Sequence, residues 1–262
     1  MKTRSGKVAA VIPKAGRLIS IATGGAAENM AIDQALLESV TRSGVPVLRF
    51  YQWSSPTLSL GYFQSVETRA DHAESADIAC VRRATGGGAI VHDRELTYSI
   101  SIPVPAGQAG PRFDLYRQTH AAIADSLACI GASAVPHRLT GSDSSEEVNS
   151  AKFLCFQRRT AEDLIVSGYK VLGSAQRKNR TAVLQHGSLL LQSSAYAPQL
   201  PGISDLVSKQ VVPEEIASLI VQSLTVRLGL QWQTDGISPQ ERSDAELISA
   251  ERFGGLTWTN RR

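Results

Sequence analysis

The sequence has few cysteines and no long apolar run. Cys80, Cys129 and Cys155 form no C-x-x-C pair and have no partnering histidines at metal-ligand spacing, so neither a metal site nor a disulfide framework is expected. Unpaired thiols are typical of a reducing compartment, and we expect a cytoplasmic protein. No stretch approaches the roughly 18 apolar residues that cross a bilayer, so we expect no membrane segment.

An excess of charge of one sign is also lacking. The 262 residues carry a formal net charge of only +3, and no basic stripe indicates a nucleic-acid binder. The sequence has no Walker-type phosphate loop, no metal-binding motif and no Gly-x-Ser-x-Gly turn. The length suits one domain, which we expect over residues 18–262, after a flexible basic tail at 1–17.

Short strand-like segments alternate with amphipathic helices along the chain. A helix is predicted at Glu28 to Thr41, and Leu96 to Ile102 alternates apolar and polar residues like a strand with one buried face. Ser167-Gly168 predicts a tight hairpin that sets Lys170 opposite Ile165. Further strands are predicted at Val47 to Tyr51, Thr57 to Leu60, Ile78 to Arg83 and, interrupted at His186-Gly187, Ala182 to Leu191.

More helices are predicted in the second half of the chain. One covers Tyr116 to Ile130 and ends at Gly131, and others begin at Pro213 and after Ser238, so C-terminal helices start at about residue 213. A polar stretch from His137 to Lys152 reads as an exposed loop. The mixture predicts an α+β fold with a predominantly antiparallel sheet and helices packed on it.

Three adjacent glycines form the clearest candidate binding segment. Gly86, Gly87 and Gly88 follow Arg82-Arg83 and expose backbone amides that a ligand can approach closely. A plain hairpin turn is the alternative explanation of the same residues.

Cys155 is the candidate nucleophile. It lies beside Phe156 and close in sequence to Lys152, Arg158 and Arg159, a setting that favours a reactive thiolate. A buried structural cysteine is the alternative, and it is the interpretation that we adopt for the other two cysteines.

Two more polar residues are candidates for the same site. Lys170 precedes the small residues Gly173, Ser174 and Ala175 and can donate to a carbonyl or phosphate oxygen; the alternative is a surface contact with Asp163, worth under about 1 kcal/mol. His186 can act as a general base or a hydrogen-bonding wall, or it is a structural histidine.

Together these segments resemble the biotin/lipoate protein ligase superfamily, in its branch of lipoate ligases and octanoyltransferases. The similar segments are Glu28 to Leu36, Leu48 to Gln64, Arg82 to Asp93, Lys170 to Gln176, Leu184 to Ser188 and Trp258 to Arg261. The resemblance implies a sheet with helices on one side and a tunnel for a medium-length acyl chain.

The resemblance also implies roles for individual residues. Lys170 would hold the acyl carbonyl, or the adenylate in a ligase. The residues implied to bind the acyl group are Arg83, Thr85, Gly86, Gly87, Gly88, Ala89, Gly173, Ser174, Ala175, Gln185, His186 and Gly187.

The position of Cys155-Phe156, fifteen residues before Lys170, resembles one group of octanoyltransferases. That likeness implies transfer of an octanoyl or lipoyl group through a Cys155 thioester, with Lys170 also catalytic and no cofactor. The implied donor is an acyl-carrier protein, the acceptor is a lipoyl domain or a glycine-cleavage H-type protein, and the enzyme is expected to be a monomer. The alternatives are a lipoate–protein ligase using ATP and Mg²⁺ and a non-catalytic acyl-binding protein.

A basic segment follows the Lys170 strand. Arg177, Lys178 and Arg180 are predicted to lie in a turn near the mouth of the pocket. Because acyl-carrier proteins and lipoyl domains tend to be acidic, such a rim would speed their encounter with the enzyme. A solvated turn is the alternative.

Overall fold

Eleven strands form two sheets in the part of the chain that the structure describes. The computed structural model describes residues 15–106, 110–141 and 152–262. The strands are β1 (Ala15–Gly24), β2 (Val47–Trp53), β3 (Thr57–Leu60), β4 (Ala79–Arg82), β5 (Ile90–His92), β6 (Glu95–Pro103), β7 (Val135–Pro136), β8 (Leu164–Val166), β9 (Tyr169–Lys178), β10 (Ala182–Leu190) and β11 (Gln231–Asp235).

The larger sheet has eight strands in the order β11-β1-β2-β6-β10-β9-β8-β7, and the smaller has the order β4-β3-β5. In the larger sheet β1 pairs in parallel with β11 and with β2, whereas the pairs from β2 to β7 are antiparallel. The predicted α+β fold with a predominantly antiparallel sheet is therefore confirmed.

Helices cover both faces of the larger sheet. They are α1 (Ala26–Ser43), α2 (Gly110–Cys129), α3 (Ile203–Val207), α4 (Pro213–Leu228), α5 (Pro239–Ile248) and α6 (Leu256–Thr259). One apolar core includes α2, α4 and one face of the sheet, and a second includes α1 and α5 with the other face. The expectation that the helices lie on one side only is wrong. Within the described residues, no helix has both the length and the apolar character needed to cross a membrane.

The central strand β6 shows what this arrangement does to the sheet. Its apolar residues belong to the core with α2 and α4, as the alternation predicts. Its polar residues are also buried, however, because α1 covers them; Ser99, for example, donates a hydrogen bond to Asp33 of that helix. The prediction of a single buried face is wrong, since polar side chains there face other polar side chains instead of solvent.

Several local predictions can be compared with the strands. The Ser167-Gly168 hairpin is confirmed, with both residues at positive φ and Lys170 opposite Ile165. β10 runs without a break through His186-Gly187, where an interruption was predicted, because both residues pair regularly with β6 and β9.

Two predicted boundaries change. Ala15 to Arg17 belong to β1, because they pair with β11 and Arg17 binds Glu241, so the folded domain begins before residue 18. Arg177 and Lys178 lie in β9 and not in a turn. The rest of the predicted tail, residues 1–14, and residues 142–151 of the predicted loop lie outside the described residues.

A chain of buried hydrogen bonds joins α2 to the face of the larger sheet that α2 covers. His120 of α2 lies 2.6 Å from the Glu162 carbonyl through Nδ1 and 2.7 Å from Ser174 Oγ through Nε2. Burial lowers the pKa of His120 to about 4, so the ring is neutral at pH 7. Because a carbonyl can only accept, Nδ1 carries the proton and Nε2 accepts from Ser174. Tyr98 then donates to Ser174 over 2.7 Å, and Gln185 donates to Tyr98 over 2.7 Å.

This buried imidazole should make the protein less stable in mild acid. An unfolded His120 takes up a proton near its ordinary pKa of 6.5, whereas the folded form takes one up only near pH 4. The unfolded state therefore binds more protons between these values, and stability falls as the pH falls. At pH 5 this difference in proton binding lowers the free energy of unfolding by about 2 kcal/mol. Urea unfolding at pH 7.5 and pH 5.0 should show a larger loss for the wild type than for His120→Gln. Equal losses in the two proteins would contradict this account.

Candidate active site

A cavity of about 280 Å³ lies between the larger sheet and the loops of the smaller one. Four cross-strand partners line its floor in a row across the sheet: Tyr51 of β2, Thr97 of β6, Ser188 of β10 and Gly173 of β9. Directly paired residues point to the same face of a sheet, so this row faces the cavity together. Gly173 is the member without a side chain, and an added Cβ there would lie 2.8 Å from Lys170 Cε.

The glycine loop forms the opposite wall. Gly86 and Gly87 line the cavity, and Gly87 has a φ of +96°, a left-handed value that favours glycine. A Cβ on Gly61 would lie 1.9 Å from the Gly87 carbonyl oxygen, and one on Gly88 would lie 3.0 to 3.2 Å from backbone atoms of residues 153–155. The glycines therefore allow three backbone segments to pack directly against one another.

This close packing fixes the backbone of Cys155. The Cys155 amide donates to the Ala89 carbonyl over 2.7 Å, and the Ala89 amide donates to the Phe153 carbonyl over 3.1 Å. A Cβ on Gly87 would lie 3.9 Å from Cys155 Sγ, so the thiol stands against the glycine loop at the cavity wall.

Arg83 holds the loop from behind. Its guanidinium donates to the carbonyls of Gly86 and Gly88 over 2.7 Å each, and to the Ser59 carbonyl over 2.9 Å. Burial lowers the pKa of Arg83 to about 10, an effect that the nearby Cys155 opposes. The side chain remains a cation at pH 7 and fixes the direction of the loop carbonyls.

Lys170 connects the segment of the candidate nucleophile Cys155 to β8 and β9. Its Nζ lies 2.7 Å from Asp163 Oδ2 and donates to the carbonyls of Cys155 and Arg158 over 3.2 and 3.1 Å. Nζ is also 3.8 Å from Cys155 Sγ. The contact with Asp163, the alternative explanation of this lysine, is present, but both side chains are only 2% exposed, so it is not a surface pair.

A buried carboxylate that was not predicted from the sequence lies next to the site. Asp33 of α1 accepts hydrogen bonds from Arg49, Tyr51, Ser99 and His186 over 2.8 to 3.1 Å. Burial acts to raise the pKa of Asp33, but the His186 hydrogen bond and the Arg49 charge outweigh it and lower the pKa below its ordinary value. Asp33 is therefore ionised at neutral pH. Its place on the buried side of a predicted amphipathic helix was the available signal.

His186 links this carboxylate to the glycine loop. Its Nδ1 lies 3.1 Å from Asp33 Oδ2, so Nδ1 carries a proton, and its Nε2 lies 2.7 Å from Thr85 Oγ1. The ring lines the cavity and sits at the end of a chain of contacts that runs from α1 to the loop.

A second buried histidine lines the cavity from the smaller sheet. His92 lies 2.8 Å from Ser59 Oγ and 3.1 Å from Glu95 Oε1, and it stacks on Trp53 at 4.0 Å. Burial lowers the pKa of His92. Asp93, the next residue in the sequence, instead accepts a hydrogen bond from Ser194.

Most residues implied to bind the acyl group line the cavity. They are Arg83, Gly86, Gly87, Gly173, Ser174, Ala175, His186 and Gly187, together with the candidate nucleophile Cys155. Thr85, Gly88, Ala89, Gln185 and Lys170 do not line the cavity but contact residues that do.

Seven lining residues were not predicted: Met30, Tyr51, Ile90, His92, Thr97, Gln176 and Ser188. Met30 lies in a predicted helix and Tyr51, Thr97 and Ser188 lie in predicted strands, where the register across the larger sheet brings the last three to the cavity. Ile90, His92 and Gln176 lie outside the strands and helices that were predicted. Among the described residues, no three His, Cys, Asp or Glu side chains are grouped to hold a metal ion.

Comparison with known proteins identifies the family. Residues 25–225 match the lipoyl protein ligase A/B catalytic domain. An octanoyltransferase LipM of Carboxydothermus hydrogenoformans is 38% identical, with coverage of 88% of this chain and 93% of that protein. Another, of Brevibacillus brevis, is 36% identical, with coverage of 90% and 95%.

Solved structures share the fold. A lipoate-protein ligase A bound with ATP has a TM-score of 0.76 at 24% identity, over 94% of this chain and 98% of that one. A bipartite lipoate protein ligase from Thermoplasma acidophilum has a TM-score of 0.75 at 21% identity, over 95% and 97%. The resemblance of the sequence segments to this superfamily is confirmed, and the chain belongs to the lipoyl protein ligase A/B catalytic domain family.

Proposed function

We propose that this chain is an octanoyltransferase that works through a thioester on Cys155. It is an acyltransferase of the same kind as its relatives of matching length, which are named octanoyltransferase LipM and are 38% and 36% identical. The observation that carries the choice of nucleophile is the position of the Cys155 thiol, at the cavity wall between the glycine loop and the Lys170 amine.

The reaction has two acyl-transfer steps. In the first, the Cys155 sulfur attacks the carbonyl carbon of an octanoyl thioester, a new C–S bond forms, and the donor thiol leaves with a proton. In the second, a lysine amine of the acceptor attacks the Cys155 thioester, an amide forms, the amine loses a proton and the Cys155 thiol is released. A thioester exchange is nearly balanced in energy and the amide product is more stable, so no nucleotide is required.

Both steps place negative charge on the carbonyl oxygen. Among the described residues, none accepts a hydrogen bond from the amides of Gly86, Gly87 or Gly88. The Gly87 backbone lies beside Cys155 Sγ, the amides of this loop are the proposed donors for the oxyanion, and Arg83 keeps the loop in that conformation. Lys170 contributes positive charge from the other side of the sulfur.

The partners follow from the two steps. The donor in this proposal is an octanoyl-acyl-carrier protein, and the acceptor is a lipoyl domain or an H-type protein of glycine cleavage. The ATP-dependent ligase remains the second candidate, because lipoate ligases share the fold. Dependence on ATP discriminates between the two reactions.

Incubation with octanoyl-acyl-carrier protein, without ATP, should add one octanoyl group to the enzyme. The added mass should disappear with hydroxylamine, because thioesters are cleaved by it, and Cys155→Ala should not gain it. Cys80→Ala and Cys129→Ala are matched controls, since Cys80 lies in β4 and Cys129 at the end of α2. Intact mass spectrometry measures the added mass in the wild type and in the three variants. Acylation that persists in Cys155→Ala would refute the proposed nucleophile, and acylation only with octanoate and ATP would favour the ligase.

Replacing Lys170 should reduce both stability and rate, and the two effects can be separated. Lys170→Met leaves Asp163 buried without its cation, which should cost about 3–5 kcal/mol in the free energy of unfolding. Lys170→Met/Asp163→Asn removes that unpaired charge and should recover much of the stability, yet its acylation should stay about 100- to 1000-fold slow. Denaturant unfolding and single-turnover acylation measure the two effects. A normal acylation rate in the double variant would remove Lys170 from the reaction.

A further inference from the structure

Three arginines stack on three aromatic rings beside the glycine loop. We call this the arginine–aromatic patch: Tyr62, Phe63, Trp258, Arg177, Arg261 and Arg262. The Arg261 guanidinium lies 4.4 Å from the centroid of Tyr62 and 4.6 Å from that of Trp258. Arg177 lies 5.6 Å from Tyr62, and Arg262 lies 5.3 Å from Phe63. Stacking of this kind holds a guanidinium plane in place while its N–H edge stays free to bind an anion.

The patch borders the cavity. The Tyr62 amide donates to the Thr85 carbonyl over 2.8 Å, and Arg177 donates to the Ala84 carbonyl over 3.3 Å. Phe63 is the nearest neighbour of Gly86, 3.9 Å from where its Cβ would be. Phe63 and Gly87 also line a surface depression of about 620 Å³, so this depression and the cavity share Gly87.

The charges of the patch are not neutralised within the described residues. No carboxylate there lies within 4.0 Å of the guanidinium groups of Arg177, Arg261 or Arg262, and all three side chains are exposed. Some other exposed arginines are paired, such as Arg42 with Asp244 and Arg117 with Asp114. Phe63 is 70% exposed, which is unusual for a large aromatic ring.

The ends of the patch are firmly attached to the fold. Trp258 Nε1 donates to the Arg82 carbonyl over 2.8 Å, and Arg82 Nε donates to the Thr259 carbonyl over 2.8 Å. The Val66 amide donates to the Arg262 carbonyl over 2.8 Å. The arginines are thus held in position before any partner arrives, which lowers the entropy lost on binding.

We propose that the arginine–aromatic patch docks the acidic surface of the carrier protein that delivers the octanoyl thioester. This inference rests on the proposed function, because the carrier must bring its thioester past Gly87 to reach Cys155 Sγ. Three unpaired cations spread over three rings fit several carboxylates of a protein surface better than one small anion. Of the basic residues expected near the mouth, Arg177 belongs to the patch, together with Arg261 and Arg262.

The test compares enzyme variants in their reaction with octanoyl donors of different size. The variant is Arg177→Gln/Arg261→Gln/Arg262→Gln, and Arg42→Gln/Arg117→Gln/Arg227→Gln is a control with the same loss of charge at exposed arginines that line neither the cavity nor the depression. The donors are octanoyl-acyl-carrier protein, octanoyl-coenzyme A and octanoyl-N-acetylcysteamine, and the readout is the second-order rate of Cys155 acylation at several salt concentrations.

The patch variant should react with the carrier protein about 10- to 100-fold more slowly at low salt, with a flatter salt dependence. Its rate with octanoyl-N-acetylcysteamine should be unchanged, and Arg177→Lys/Arg261→Lys/Arg262→Lys should keep most of the rate with the carrier. The control triple variant should behave like the wild type with every donor.

Three results would overturn the inference. An unchanged rate with the carrier would place docking elsewhere, and equal losses with all donors would mean that the patch only supports the fold. An equal loss with octanoyl-coenzyme A and with the carrier would mean that the patch binds a phosphate of the arm and not the protein. A wild-type enzyme that no donor acylates would instead contradict the proposed function itself.

Discussion

The carboxylate of Asp33 is the point at which helix, sheet and glycine loop are joined. A buried charge of this kind is costly to remove from water, and it is tolerated here because Arg49 neutralises it and further donors occupy its remaining lone pairs. His186 then carries the connection from Asp33 to Thr85 at the start of the loop. The glycine loop at the cavity wall is therefore connected to an ion pair that does not itself line the cavity.

The two faces of the larger sheet differ in the residues that they carry. The face towards α2 and α4 is apolar and supplies most of the core, apart from the polar chain that begins at His120. The face towards α1 carries short polar side chains along β6 and β10, and the cavity forms where that face meets the glycine loop. The α1 face thus combines a second apolar core with the polar residues at the cavity, and β6 is buried on both of its faces.

Local patterns predicted much of this structure. Helical spacing located α1, alternation located β6, and the turn residues Ser167-Gly168 gave the register that sets Lys170 opposite Ile165. Contacts between distant parts of the chain were not predictable in this way. Helical spacing indicated that Asp33 lies on a buried side, but it does not show that Arg49 and His186, distant in sequence, bind its carboxylate. The Lys170–Asp163 pair was expected at the surface, because nothing local shows that the segment of Cys155 covers it.

The hydrogen bonds beneath the cavity run in one direction only. Because the neutral ring of His120 donates to Glu162, each following partner has a single orientation, as far as the amide of Gln185. Ser174 is a member of that chain and also lines the cavity, so one hydroxyl ties the cavity to α2. The tie depends on a neutral His120, because a protonated ring could no longer accept a hydrogen bond from the Ser174 hydroxyl.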